Sequence, residues 1–220
     1  MIKLNKAKEP DVLKDNAVQW TTELMGYVDK GEKVPKSLEN KYNQGNIKVT
    51  LQEETFYKCM YCESKVEHVA HEHIEHIKPK AIKRFPKLTF SWENLGIACQ
   101  KCNMNKSDLY DEEHPFINPY QDQPSNHFYA CGPYVFHKPG DKRGEMTEIT
   151  IKINRAELIE QRVERIRLLR VLADKFANEK NKILKSSILK EIKIELGKDK
   201  VYSMCTNSII KVENDSLVVG

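Results

Sequence analysis

The sequence predicts an α+β fold, a small strand-bearing core flanked by N- and C-terminal helices and a β-hairpin. Three observations predict it. Apolar residues recur at spacings near three and four toward both ends of the chain. Two Cys-x-x-Cys pairs pinch off a segment in the middle. Isoleucines alternate with polar residues over 149–153. The 220 residues and 25.6 kDa suffice for one large domain or two small ones. Three parts are expected: a helical segment over 1–46, a core over 47–123, and a region of hairpin and helices over 124–220.

In the first part, Val12, Leu13, Val18, Trp20, Leu24, Met25 and Val28 form an amphipathic stripe that Gly31 ends. Pro35, Asn40, Asn43 and Gly45 break a second, short helical piece. From Phe128 the pattern reads as strand. Tyr134-Val-Phe136 is apolar, Pro139-Gly140 and Gly144 offer a turn, and Ile149, Ile151 and Ile153 alternate with Thr150 and Lys152, which predicts a hairpin. Asn154 and Glu157 then give an Asn-x-x-Glu helix start. Its stripe is Leu158, Val163, Ile166, Leu169, Leu172 and Phe176, with Arg162, Arg165 and Arg170 off it. A further stripe, Leu184, Ile188, Ile192 and Leu196, stops at Gly197, and a short strand is expected around Ile209-Ile210.

Composition narrows the class. With 36 Lys+Arg against 32 Asp+Glu, the formal charge is +4, too small to mark a nucleic-acid binder by itself. The opening MIKLNKAKEPDVLKDNAV lacks the apolar run of a signal peptide, and no stretch approaches the roughly 18 apolar residues of a membrane span. A cytoplasmic location without a membrane partner is expected. There, six cysteines are metal ligands or free thiols rather than a disulfide framework. Cys131 and Cys205 have no partner spacing and are expected as small buried residues.

Cys59-Met-Tyr-Cys62 and Cys99-Gln-Lys-Cys102 enclose 36 residues. Two such turns complete a tetrahedron of thiolates around Zn²⁺ with no open position, so this ion is structural. Between the pairs lie Glu72-His-Ile-Glu-His76-Ile-Lys-Pro79-Lys80 and Trp92-Glu-Asn94-Leu, and beyond them Asn103 and Lys106. A carboxylate beside a histidine, a carboxamide and several lysines are the groups that hold a hard divalent ion and a phosphate.

These motifs, in this order, resemble the zinc-bearing HNH, or ββα-metal, endonucleases. The resemblance covers Cys59 to about Lys106. It implies a zinc-clamped ββα core in which Glu75 and Asn103 ligate Mg²⁺ or Mn²⁺ and His76 is the general base. Asn94 then fixes the loop behind the base, and Lys106 offsets developing charge. Two letters depart from the commoner pattern, Glu75 for Asp and Asn103 for His, and both still offer oxygen to a hard ion. Pro79, three residues after His76, selects this register over Glu72-His73. His71 and His73 are expected as exposed strand histidines outside the chemistry. Adjacent strand residues point apart, so Glu75 and His76 converge only where the strand ends or bulges.

Lys78, Lys80, Lys83, Arg84 and Lys87 form a one-sided basic run, which the phosphodiester reading turns into a DNA contact, with Phe85, Phe90 and Trp92 packing beneath. The products implied by the resemblance carry 5′-phosphate and 3′-hydroxyl ends, one strand cut at a time. Outside the motif, Phe116-Ile-Asn-Pro-Tyr-Gln-Asp122 and Ile153-Asn-Arg155 before the long helix are similar to the nuclease subunits of Septu-type and retron-linked anti-phage systems. That wider resemblance implies an ABC-type ATPase partner on the helical flanks. The residues alone leave two other classes open: a zinc ribbon that binds nucleic acid without cutting, and a stand-alone restriction-type nuclease.

Overall fold

The computed structural model describes residues 1–66 and 72–213. At its centre strand β1 (Glu72–His76) pairs antiparallel with β2 (Leu95–Cys99), in the register Glu72↔Cys99 to His76↔Leu95. Helix α4 (Gln100–Lys106) follows β2 without a linker and packs on both strands. Leu95, Ile97 and Ala98 are fully buried, as expected of a strand covered on both faces. Gly96 is required by close approach: a Cβ there would fall on the Met60 sulfur.

The N-terminal helices cover this ββα unit. Helix α1 (Asp11–Asp29) begins after Pro10 and ends before Gly31, whose φ of +70° suits glycine. It buries Leu13, Trp20 and Leu24, and Trp20 sits edge-on to Phe90 at 5.5 Å. Val18, expected in the stripe, is 81% exposed. After α2 (Lys36–Glu39) comes an unanticipated helix, α3 (Gly45–Glu54), whose Ile47 and Leu51 are buried one turn apart. Two buried apolar residues in a polar decamer are too faint a stripe to read.

The second half corrects several expectations. A hairpin is present, but it is β3 (Phe128–Cys131) with β4 (Tyr134–His137), turning at Gly132-Pro133; α5 (Pro124–His127) precedes it. Residues 149–153 are not its second strand. They close helix α6 (Lys142–Ile151), which Asp141 caps through the Gly144 N–H. The face α6 buries is Gly144, Thr147 and Ile151, at helical spacing, while Ile149 is 65% exposed.

Helix α7 (Ala156–Asn178) has Arg155 at its N-cap, one residue beyond the expected Asn154. Asn154 instead brackets Val135, accepting from its N–H and donating to its carbonyl, so it stitches β4 to the helix start. Arg162, expected off the stripe, is 2% exposed and donates to the Pro133 carbonyl. In α8 (Lys182–Glu195) only Ile192 is buried, and Leu184 is 53% exposed. The segment around Ile209 is helix α9 (Ser203–Glu213), not a strand. Cys205 is buried, whereas Cys131 is exposed at the hairpin turn. One apolar cluster runs from Met1 and Leu4 through both cysteine turns to Tyr202 and Cys205. No helix among the described residues is long and apolar enough to cross a membrane.

Candidate active site

The first cysteine turn folds on itself: the Cys59 N–H donates to the Ser64 carbonyl, and Glu63 adopts a φ of +63°. The Met60 N–H donates to the Ile97 carbonyl, which anchors the turn to β2 beside the second pair. The Sγ atoms of Cys59, Cys62, Cys99 and Cys102 all lie within 4.8 Å of one another, with Cys62 and Cys99 at 3.8 Å. Zn–S bonds of about 2.3 Å in a tetrahedron place sulfurs roughly 3.8 Å apart. The donor set therefore fits a closed zinc site, and three of the four cysteines are buried. The Arg155 guanidinium lies against it, Nη1 3.5 Å from Cys102 and Nη2 3.7 and 3.8 Å from Cys99 and Cys62.

Strand β1 ends at His76, the place where neighbouring side chains can converge. The His76 ring is 7% exposed, and its Nε2 is 3.0 Å from the Thr89 carbonyl. A carbonyl only accepts, so Nε2 carries the proton and Nδ1 keeps a free lone pair. Burial lowers the His76 pKa to about 3, against the opposing pull of the Thr89 carbonyl. The imidazole is thus neutral at pH 7.

Glu75 is 2% exposed. Lys106 Nζ is 2.6 Å from its Oε1, and the Tyr61 hydroxyl donates to the same oxygen at 3.2 Å. Burial pushes its carboxyl above the ordinary value, partly offset by Lys106 and Tyr61. Lys106 also donates to the His76 carbonyl, at 2.8 Å. Asn94, 5% exposed, accepts from the Lys78 N–H and donates to the Lys78 and Leu88 carbonyls, so it ties both ends of the intervening loop.

Glu75, His76, Asn103 and Lys80 line one cleft of ≈ 490 Å³. Asn94 and Lys106 stand behind it; Lys106 is 1% exposed and turns inward to Glu75. Of the basic run, Lys80 reaches the cleft, where it pairs with Glu39 at 2.5 Å. Lys78, Lys83, Arg84 and Lys87 are exposed on the adjoining loop. Phe90 and Trp92 are buried under that loop, as expected. His71 lies outside the described residues. His73, expected to be exposed, is half-buried and lines the same cleft.

Four contributors had no signal in the motif. Glu39 and Tyr42 come from the N-terminal helical segment, more than thirty positions before His76. Thr89 acts through its carbonyl, which any residue type supplies. Arg155 was legible only as a basic residue before a helix.

The strand-strand-helix unit, with a carboxylate, a histidine and a carboxamide in one cleft beside a Cys₄ centre, coincides with a family match: residues 59–109 fit the HNH endonuclease model. The chain carries an HNH endonuclease domain. This HNH domain holds both cysteine pairs, both strands and α4. Two curated relatives are similar over a wider span. "Septu protein PtuB" of Bacillus thuringiensis is 30% identical over 158 residues, 71% of this chain and 56% of that protein. "Septu protein PtuB" of Bacillus mycoides (strain KBAB4) is 32% identical, over 56% of this chain and 52% of that protein. The chain thus spans about half the length of the curated relatives it matches.

Proposed function

We propose that this chain is a metal-dependent HNH endonuclease that hydrolyses DNA phosphodiester bonds, the effector nuclease of a Septu-type anti-phage system acting with an ABC-type ATPase. The observation that carries the reading is the contact of His76 Nε2 with the Thr89 carbonyl. The Nε2–H is committed to that carbonyl, which leaves Nδ1 as a proton acceptor in the cleft that also presents Glu75 and Asn103.

Glu75 and Asn103 offer the oxygen donors that suit Mg²⁺ or Mn²⁺. When bound, such an ion supplies positive charge against the oxygens of the scissile phosphate. The protein's own part is to hold and move the proton. Nδ1 of His76 takes it from the attacking water, and Asn94 keeps the loop behind the imidazole from shifting. Lys106 balances the Glu75 charge from the buried side. Lys80, Lys83 and Arg84 attract the backbone. The zinc centre holds β2 and α4 against the first cysteine turn and does no chemistry.

The test is His76→Ala, assayed on DNA with Mg²⁺ or Mn²⁺ and the ATPase partner present. Cleavage should fall by roughly 10²–10⁴-fold, the usual share of a general base. Zinc content, melting temperature and DNA affinity should stay near wild type. If the wild-type complex binds DNA but cuts none, the zinc-ribbon binding module is the better account.

A further inference from the structure

We propose that His73 is a third protein ligand to the divalent ion held by Glu75 and Asn103, so that the site is mixed nitrogen and oxygen and prefers Mn²⁺ to Mg²⁺. The proposal rests on the metal-dependent reading of this cleft.

Strand β1 is regular through Glu72–His76, so side chains two apart leave the same face, and His73 and Glu75 share one. Their cross-strand partners are Ala98 and Gly96. Helix α4 packs across β1 and brings Asn103 to the cleft that His73 and Glu75 line.

His73 Nε2 is buried and has no hydrogen-bond partner. Only four buried side-chain atoms among the described residues share that condition. Two are the Nε atoms of Arg155 and Arg165, whose terminal nitrogens are bonded elsewhere. A buried imidazole nitrogen without a partner needs an explanation, and a ligand is the simplest one. Lys106 and Tyr61 both engage Oε1 of Glu75, so neither occupies Oε2. A carboxylate oxygen, a carboxamide oxygen and an imidazole nitrogen then converge on one cleft. Imidazole favours later first-row metals over Mg²⁺, which keeps to oxygen and water.

The experiment uses the full zinc-loaded chain. Mn²⁺ is titrated into wild type, His73→Phe, His76→Ala and Glu75→Gln, with free Mn²⁺ read by electron paramagnetic resonance. His73→Phe fills the same space without a donor, and zinc content and melting temperature check its fold. Mn²⁺ affinity should drop at least tenfold in His73→Phe, while Mg²⁺ competition against it changes less than threefold. Electron spin-echo modulation should show an imidazole ¹⁴N coupling in wild type and His76→Ala that His73→Phe loses. Mn²⁺ affinity within twofold of wild type in His73→Phe, or no ¹⁴N coupling, overturns the proposal. If Glu75→Gln binds Mn²⁺ as wild type does, the metal reading of the whole cleft fails, which is a separate result.

Discussion

Tyr42 meets the His76 imidazole edge-on, with ring centroids 4.6 Å apart and ring planes at 89°. The contact belongs to the turn after α2, so the N-terminal segment forms one wall of the cleft rather than an appendage. An aromatic pair of this geometry is worth about 0.5–1.5 kcal/mol beyond area burial. Tyr42→Ala should therefore lower kcat by roughly two- to tenfold, with KM nearly unchanged. Tyr42→Phe keeps the ring and should keep the rate. The His76 ring-proton shifts should move in Tyr42→Ala and not in Tyr42→Phe. Unmoved shifts in the alanine variant would show that the contact does not exist in solution.

What was legible in the sequence, and what was not, divides along physical lines. Two Cys-x-x-Cys turns are local chemistry with one sterically sensible use, and the four sulfurs do converge. The same holds for Glu75, His76 and Asn103, whose spacing is set by one strand end and one helix. The alternation at 149–153 shows the limit. Ile-Thr-Ile-Lys-Ile satisfies a period of two, but Gly144, Thr147 and Ile151 satisfy a helical one, and the Asp141 cap decides between them. Tyr42, Glu39 and the Thr89 carbonyl were illegible because each is placed by tertiary packing and leaves no local pattern. Strand alternation places His73 on the face opposite His76, as β1 does, but reads that face as open to solvent, and His73 is half-buried. The face it shares with Glu75 is the one α4 covers.

The zinc centre should respond to a residue outside the motif. Arg155 places its terminal nitrogens 3.5–3.8 Å from three of the four sulfurs, opposing the net negative charge of a Zn(Cys)₄ unit. The protein should carry about one zinc per chain as purified, and strong chelation should unfold the core. Arg155→Leu leaves all four ligands in place, yet removing such an outer partner typically costs 10–100-fold in metal affinity. Arg155→Lys should recover little, since one ammonium cannot fork across three sulfurs. Zinc release to a colorimetric chelator measures both variants. Release from Arg155→Leu at the wild-type rate would rule Arg155 out as a determinant of zinc retention.

The basic loop makes a prediction with two signs. Neutralising Lys80, Lys83 and Arg84 together should weaken DNA binding and reduce its log-log salt slope by up to roughly 0.9 for each phosphate no longer neutralised. Lys80, however, is partly held by Glu39 at 2.5 Å. Glu39→Gln releases that ammonium and removes a negative charge from the cleft, so it should tighten DNA binding. Fluorescence anisotropy over a salt series reads both effects. An unchanged slope in the triple variant would place the DNA on another surface.

The last prediction concerns acid stability, and it turns on the segment Phe116–Asp122. Asp122 accepts from Arg143 at 3.0 and 2.7 Å in a two-oxygen fork and from the Asn118 N–H at 2.8 Å. Arg143 also donates to the Pro115 carbonyl, and the Leu4 N–H donates to the Pro119 carbonyl. The pair thus joins α6, this loop and the chain start behind the HNH core. Burial alone would raise the Asp122 carboxyl, but the Arg143 fork and the Asn118 N–H outweigh it and hold it below its ordinary value. For a depressed carboxylate the stabilisation is complete above the unfolded pKa, about 3.9, and is lost as pH falls through the folded value. A part-exposed fork contributes roughly 1 kcal/mol, so Asp122→Asn or Arg143→Leu should lower Tm by about 2–4 °C at pH 7 for a chain of this size. As pH falls through the depressed folded value the wild type protonates Asp122 as well, and the gap to Asp122→Asn should close. Melting curves at pH 7 and in steps down to pH 2.5 provide the measurement. A gap that stays constant over that range would mean that Asp122 contributes through shape and not through its charge.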